Sequence, residues 1–328
     1  MNKKIVGLKD IAESLNLSIN TCSHALRDLN DISLETKEKV LAKAKELGYL
    51  YVNKTERYIK KRKVIFLVKD FSNLYYHILS NNLFNLFKED NKVSFLVLCI
   101  NKNKIDKISV NEILDNKPNL VLSHIEFDEE AIKSLNDHKI KLVLIGNNSL
   151  KDIDSICIDE SAGCEMAARY LARFHQTKKF LYVGIKDYPL SIKRYQYFYN
   201  YLKQVCEDGI IETFYFDGHN ATTFYKYIKE GYRSVFFFND ELAYNVLSET
   251  NRIYLNIRRL FPDLHLIGFD CLYSKINGLN DITSIQINYE DFALKTFKII
   301  KAKLFNDFKD IDHIVLPITL HQRRVLKE

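Results

Sequence analysis

The chain has 328 residues, of which 47% are hydrophobic and 27% charged, and a formal net charge of +6. That length suffices for two or three domains that each bury a core. Six scattered cysteines without a CxxC pair argue against a disulfide framework or a zinc site, and no apolar run reaches the about 18 residues that a membrane span needs. The N-terminal "MNKKIVGLKDIAESL" is charged but lacks the apolar stretch of an export leader. A cytoplasmic protein is expected, with no cofactor, no metal and no membrane partner. The charge is unevenly placed: residues 1–63 hold 14 Lys and Arg against 8 Asp and Glu, a net of +6, so residues 64–328 are neutral. A small basic segment attached to a large neutral one is the electrostatic layout of a polyanion reader with a separate sensing or assembly module.

In chain order, the first 50 residues read as three short helices. Leu8, Ile11, Ala12 and Leu15 recur at helical spacing. Ser18 can cap a second helix in which Leu17, Cys22, Ala25 and Leu26 point inward, and Ser33 can cap a third that buries Val40, Ala44 and Leu47 and stops at Gly48. Helix, tight turn, helix and a supporting helix make a helix-turn-helix domain. The second helix turns an uncharged but hydrogen-bonding face outward, at Ile19, Asn20, Ser23 and His24. Then "YVNKTERYIKKRK" is polar, basic and without a core of its own, which reads as a linker.

From Val64 onward the pattern becomes short apolar runs separated by helix-length segments. Ten strand candidates follow: "KVIFLV", "SFLVLCI", "NLVLSH", "KLVLIG", "SICI", "KFLYVGI", "ETFYFDG", "SVFFFND", "LHLIGFD" and "ITSIQI". Continuous apolar strands alternating with helices imply parallel sheets covered on both faces, and ten strands are better housed in two doubly wound α/β lobes than in one sheet. Ligands of such lobes sit beyond the carboxyl ends of the strands. Asp70, Asn239, Asp240 and Asp270 stand there.

These residues carry a family likeness. "LKDIAESLNLSINTCSHALRDLNDISLETKEKVLAKAKELGY" resembles, without a gap from Leu8 to Tyr49, the DNA-binding headpiece of the lactose-repressor/galactose-repressor family, with its pattern LxDVAxxAGVSxxTVSRxLNxxxxVSxxTRxxVxxAxxxLGY. "DFSNLYY" (70–76), "DESAGCEMAARYL" (159–171), "SIKRYQYF" (191–198), "FFFNDELAYNVL" (236–247), "LIGFD" (266–270), "ITSIQIN" (282–288) and "LPITLHQRRV" (316–325) resemble later motifs of the family in the family's order. The resemblance implies an α/β protein: an all-α helix-turn-helix headpiece over residues 1–50, a basic hinge over 51–63, and a periplasmic-binding-protein-like core over 64–328. Within that core the first lobe takes about 64–158 plus 288–316, the second about 159–287 plus 317–328. It further implies a transcriptional regulator, most simply a repressor, that binds a two-fold double-stranded DNA operator as a homodimer or tetramer. A small effector in the interlobe cleft, a sugar, phosphosugar or nucleobase, would tune that affinity. A regulator whose sensing domain has degenerated and answers to a protein partner, and a solute-binding protein, are the alternatives. There is no phosphate-binding glycine loop, no HExxH and no nucleophile elbow, so no enzyme is expected.

By the same resemblance Ile19, Asn20 and His24 touch base edges. Asn20 can bond adenine bidentately and Ile19 can pack on a thymine methyl. His24 stands where the family has an arginine aimed at guanine. It can make a single imidazole bond there, or meet only phosphate or solvent. Lys9, Ser18, Thr21, Ser23, Arg27 and Lys37 are expected on phosphates, which position the domain without reading sequence. In the hinge the family's "PNxxARxL" has become "VNKTERYIKK": the proline is gone, Glu56 takes the alanine position, Ile59 the leucine, and Arg57 is retained if the segment is one residue longer. Ile59 is then the minor-groove wedge with Arg57 and Lys60 on the backbone. Otherwise the segment is a flexible basic tether. In the cleft Tyr75 and Tyr76 are expected to wall the effector from the first lobe. Arg194 and Asp240 would grip its hydroxyls from the second, with Asp159 and Asp270 capping strand ends or lining the hinge.

Overall fold

The computed structural model describes residues 6–27, 29, 31–49, 61–146, 150, 152–174, 178–254, 256–272, 282–306 and 310–322. The chain divides into two compact units, Met1–Lys61 and Arg62–Glu328.

The first unit holds α1 (Leu8–Leu15), α2 (Ile19–Leu26) and α3 (Leu34–Glu46). Two of their starts are capped by serine hydroxyls: Ser18 Oγ accepts from the Thr21 amide at 2.9 Å and Ser33 Oγ from the Thr36 amide at 3.3 Å, each satisfying one of the donors a helix leaves open. After α3 the chain turns at Gly48, whose φ of +68° is the left-handed conformation that glycine adopts without a steric cost. Ile11, Ala12, Cys22, Ala25, Leu26, Val40 and Ala44 form a core of their own, with Leu8, Leu15 and Leu47 packed around it. Leu17 belongs to this packing but not to the second helix. It precedes the Ser18 cap, and its amide bonds the Ala12 carbonyl at 3.0 Å in the turn after α1.

Among the described residues the second unit has two six-stranded, mainly parallel sheets wrapped in helices and a separate two-stranded pair. β1 (Arg62–Val68), α4 (Leu74–Lys88), β2 (Val93–Cys99), β3 (Lys104–Ile105), α5 (Lys107–Asp115), β4 (Leu120–Ser123), β5 (Glu126–Phe127), α6 (Glu129–Asp137), β6 (Lys141–Ile145) and β7 (Asp154–Ile158) build the first lobe. α7 (Glu160–Ala172), β8 (Lys179–Gly184), α8 (Pro189–Val205), β9 (Ile210–Tyr215), α9 (Ala221–Lys229), β10 (Ser234–Phe237), α10 (Asp240–Tyr254), α11 (Ile257–Leu260), β11 (His265–Asp270) and β12 (Thr283–Gln286) build the second. The chain then returns to the first lobe, where α12 (Tyr289–Phe305) packs on α4 and β13 (His313–Leu316) joins the sheet, and it crosses once more to place β14 (Thr319–His321) in the second.

The sheet orders are β13-β7-β6-β4-β1-β2 and β14-β12-β11-β10-β8-β9, parallel throughout except for the antiparallel pairing of β14 with β12. Val64, Ile65, Phe66, Leu67 and Val68 of β1 are all buried, as expected of a strand covered on both faces. In each lobe the winding reverses at an inner strand, β1 in the first and β8 in the second, because each pairs with the next strand on one side and a later one on the other. The crevices beyond such reversal points are where doubly wound sheets hold ligands. Among the described residues no helix is long and apolar enough to cross a membrane.

Candidate functional site

Two places concentrate the expected residues. The first is the outer face of α2. Ile19 is 49% exposed, and Asn20 beside it is exposed as well, both in the first turn of a helix whose amide dipoles point towards an approaching anion. Ser18 spends its oxygen on the cap and bonds the Thr21 hydroxyl at 2.8 Å. Arg27 folds back along α2, its Nη2 donating to Ser23 Oγ at 2.5 Å and its Nε to the Ser23 carbonyl at 3.1 Å. Lys9 lies 3.7 Å from Glu13 on α1. His24 is held by Asp31: the Nδ1 to Oδ2 distance is 2.6 Å, and that bond keeps the Asp31 carboxyl below the usual carboxylate range.

The second place is the cleft of the larger unit. Arg194, on α8, is buried. Its Nε and Nη2 donate to the two oxygens of Glu160 at 2.6 and 3.0 Å, and its Nη1 donates to the Phe238 carbonyl at 2.6 Å. The guanidinium lies 3.6 Å from the centre of the Phe269 ring and 4.8 Å from that of Phe238. Asp270 Oδ1 stands 3.9 Å from Nη2. Burial opposes the charge on Arg194, yet the paired Glu160 and nearby Asp270 hold its proton more firmly than usual. Asp270 shares that single cation with Glu160. Burial pushes its carboxyl up to about 6, with Glu160 and Glu241 adding to the rise and Arg194 opposing it.

Asp270 is carried on a strained corner. Its φ is +91° and that of Cys271 is +58°, conformations that side-chain-bearing residues rarely adopt. Asp240 holds the corner: Oδ2 accepts the Leu272 amide at 2.7 Å, and Oδ1 accepts the Ser284 hydroxyl at 2.8 Å, while Ser284 Oγ in turn accepts the Cys271 amide at 3.0 Å. Gly268 makes room for this arrangement, since a Cβ there would fall 2.0 Å from Asp240 Oδ1. Asn239 accepts the Leu242 amide at 2.9 Å, and its side chain also bonds Asp270.

Facing this cluster from the first lobe is a group of rings. Tyr75 packs edge-on against Tyr76, His124 and Tyr289, with centroids 5.5, 5.2 and 5.8 Å apart. His124 lies 4.9 Å from Tyr76 and 5.5 Å from Phe66. The ring sits in space that Gly146 leaves open, for a Cβ there would meet Nδ1 at 2.8 Å. Burial pushes the imidazole down to about 3, against a hydrogen bond to the Ile145 carbonyl. Contacts that cross between the lobes include the bond between the Tyr76 and Tyr188 hydroxyls and that of the Leu74 amide to the Glu241 carboxylate. A cavity of about 710 Å3 lies on the other side of α4, lined by His77, Asn81, Gln286 and Tyr289 among others, and none of Tyr75, Tyr76, Arg194 and Asp240 lines it.

The profile described as "Bacterial regulatory proteins, lacI family" matches residues 7–50, the whole of the capped three-helix unit. The HTH-type transcriptional regulator RegA of Clostridium saccharobutylicum is 23% identical over 327 residues, covering 93% of this chain and 94% of its own. Residues 7–50 thus match the lacI family model. The chain is a DNA-binding transcriptional regulator. The fold extends the likeness over the larger unit: the lac repressor dimer bound to operator and the anti-inducer ONPF matches with a TM-score of 0.73 at 16% identity, over 98% of both chains. A LacI family regulator from Enterococcus faecium with bound ribose matches at 0.64 and 18% identity, over 80% of this chain and 97% of its own.

Within this regulator the residues expected on DNA divide into three groups. Ile19 and Asn20 lie open on α2, and His24, one turn on, is engaged by Asp31. Ser18, Thr21, Ser23, Arg27 and Lys9 have partners within their own helices, and Lys37 lies in the first turn of α3. Arg57, Ile59 and Lys60 lie outside the described residues. In the cleft, Tyr75 and Tyr76 are together. Here the Arg194 guanidinium bonds Glu160 and the Phe238 carbonyl, and the Asp240 oxygens hold the corner after β11. Asp159 caps α7 through the Ala162 amide at 2.9 Å, and Asp270 stands in the Arg194 cluster rather than at a hinge. Glu160, His124 and Tyr188 were not singled out from sequence. The signal for the first two was present, because each follows the carboxyl end of a strand, β7 and β4, where Asp70 and Asp270 had drawn notice.

Proposed function

We propose that this regulator binds a two-fold operator as a homodimer in the cytoplasm and represses transcription without any catalytic step, its affinity set by a small polar effector in the interlobe cleft. The observation that carries the reading is the pair Ile19 and Asn20, exposed on the first turn of a Ser18-capped helix in a basic headpiece. An amide and a branched apolar side chain there suit adenine edges and thymine methyls. The lac repressor in complex with operator and the ribose-bound relative support the two halves of the reading. Footprinting on the DNA upstream of its own gene tests it, together with gel shifts across salt. About six to ten neutralised phosphates per dimer give a log–log salt slope of roughly −5 to −9, and a flat response counts against DNA reading.

One observation favours a second reading, in which the cleft no longer takes a solute and a protein partner exerts control. Arg194 and Asp240 are spent on the protein itself, and rings closed by the Tyr76–Tyr188 bond occupy the space between the lobes. Thermal unfolding of the full chain against sugars, phosphosugars and nucleobases separates the two. An effector at a hundred times its Kd adds about 2.7 kcal/mol of stability, whereas a panel without any shift selects the partner-controlled reading.

A further inference from the structure

His24 is where this headpiece departs most from its family, and the structure supplies a partner that the motif does not contain. Asp31 reaches back from the turn before α3 to meet His24 Nδ1 at 2.6 Å. It is not needed as the helix cap, a role that Ser33 fills. A carboxylate on a surface that approaches phosphates is repelled by them, so on a DNA-facing turn it brings a cost that some other role must offset.

A carboxylate only accepts, so the His24 nitrogen bonded to Asp31 carries a proton. In the neutral ring the remaining nitrogen, Nε2, then has no hydrogen and presents a lone pair. Without Asp31 the ring could hold its hydrogen on either nitrogen and could rotate.

We propose that Asp31 is a specificity-determining positioning residue: by fixing the His24 ring and its tautomer, it makes Nε2 an acceptor that reads an amino group of cytosine or adenine in the major groove. This rests on the DNA-reading function proposed above. The major-groove edge distinguishes the bases by their donors and acceptors. Neutral His24 held by Asp31 therefore selects the amino groups at cytosine N4 and adenine N6 and disfavours guanine, the base that an arginine at this position would take. The other charged groups around the pair are Arg27, whose guanidinium is tied to Ser23, and Lys37, whose charge acts on Asp31.

The test uses the full chain and its footprinted operator, with every base pair of one half-site replaced in turn by the other three. Affinities are measured at pH 8 for the unsubstituted protein, Asp31→Ala, Asp31→Asn and His24→Ala. At pH 8 the unsubstituted protein should prefer cytosine or adenine at one base pair by about five-fold, the low end for a base contact. His24→Ala should abolish that preference at that base pair alone. Asp31→Ala should flatten the pH 8 preference while strengthening binding to every sequence, because a negative charge has left the DNA-facing surface. Asp31→Asn keeps an acceptor for Nδ1 and should retain the pH 8 ranking. If Asp31→Ala leaves the order of the four base pairs unchanged at every position, or His24→Ala changes none of them, the proposal is overturned while DNA reading stands. If the unsubstituted protein shows no salt-dependent binding, DNA reading fails first and the proposal falls with it.

Discussion

Substituting His124 by phenylalanine should make the full-length protein markedly more resistant to acid, and substituting Asp270 by asparagine should make it less so. Burial holds His124 at about 3 against an ordinary 6.5. The unfolded chain therefore binds a proton that the folded one refuses, and stability present above pH 6.5 is lost as pH falls toward 3. The whole difference is worth about 5 kcal/mol at about 1.4 kcal/mol per unit. Asp270 runs the other way. Its carboxyl sits at about 6 against an ordinary 3.8, so the folded state binds the extra proton. Its contribution is fully present below pH 3.8 and is lost as pH rises through 6, by about 3 kcal/mol. Between pH 4 and 6 the two slopes oppose each other and largely cancel. Urea unfolding at pH 7, 6, 5 and 4 should show a shallow dependence for the unsubstituted protein. The slope should flatten or turn toward acid stability in His124→Phe and steepen toward acid lability in Asp270→Asn. Parallel profiles for all three proteins would remove both groups from the account. The phenylalanine keeps the ring contacts with Tyr75, Tyr76 and Phe66, which is why slopes rather than absolute stabilities are compared.

Arg194→Ala should cost about 3–5 kcal/mol of stability, the usual penalty for removing one partner of a buried ion pair. Glu160 would lose two charge-assisted bonds and the Phe238 carbonyl a third, with Asp270 left beside an uncompensated carboxylate. A lysine at 194 cannot span both Glu160 oxygens and the carbonyl from one planar fork, so Arg194→Lys should recover only part of the loss. The measurement is the denaturant midpoint of the full chain. An arginine held mainly for an effector gives a different result: a change within about 0.5 kcal/mol without ligand, as for a substitution that disturbs no buried contact. That outcome would return Arg194 to the gripping role and sink the structural one.

Much of the backbone could be read from local pattern. Ser18, Ser33 and Gly48 mark helix ends by chemistry that operates within three or four residues, and the apolar runs of β1, β4 and β8 announce strands buried on both faces. The edge strands β13 and β14 were not among the strand candidates. "HIVL" and "TLH" are too short to show a period, and β13 finds its partner β7 about 158 residues earlier, as in the pairing of His313 with Ser155. The cleft was harder still. Glu160 looks in sequence like an ordinary acidic residue in a helix's first turn, and only the fold brings it to Arg194, 34 positions away. Asp240 looks like a ligand-gripping carboxylate because it follows β10. Its task became visible only with the positive φ of Asp270 and Cys271, which no residue type in that stretch announces. Asp31 is a similar case: nothing in "DLNDIS" shows that its aspartate turns back to a histidine seven positions earlier.

The threefold passage of the chain between the lobes governs the order in which a ribosome can deliver a finished molecule. The three helices around Ile11, Cys22 and Val40 emerge first with their core complete. Neither sheet can close its last edge until the polypeptide has been made as far as Leu316 and His321. A product that stops after α12 would carry the three-helix unit intact together with two unfinished sheets, with the main-chain groups of β7 and β12 exposed at their edges. Such edges template aggregation. In this architecture a nearly complete polypeptide is a greater hazard to the cell than one that ends after the first fifty residues.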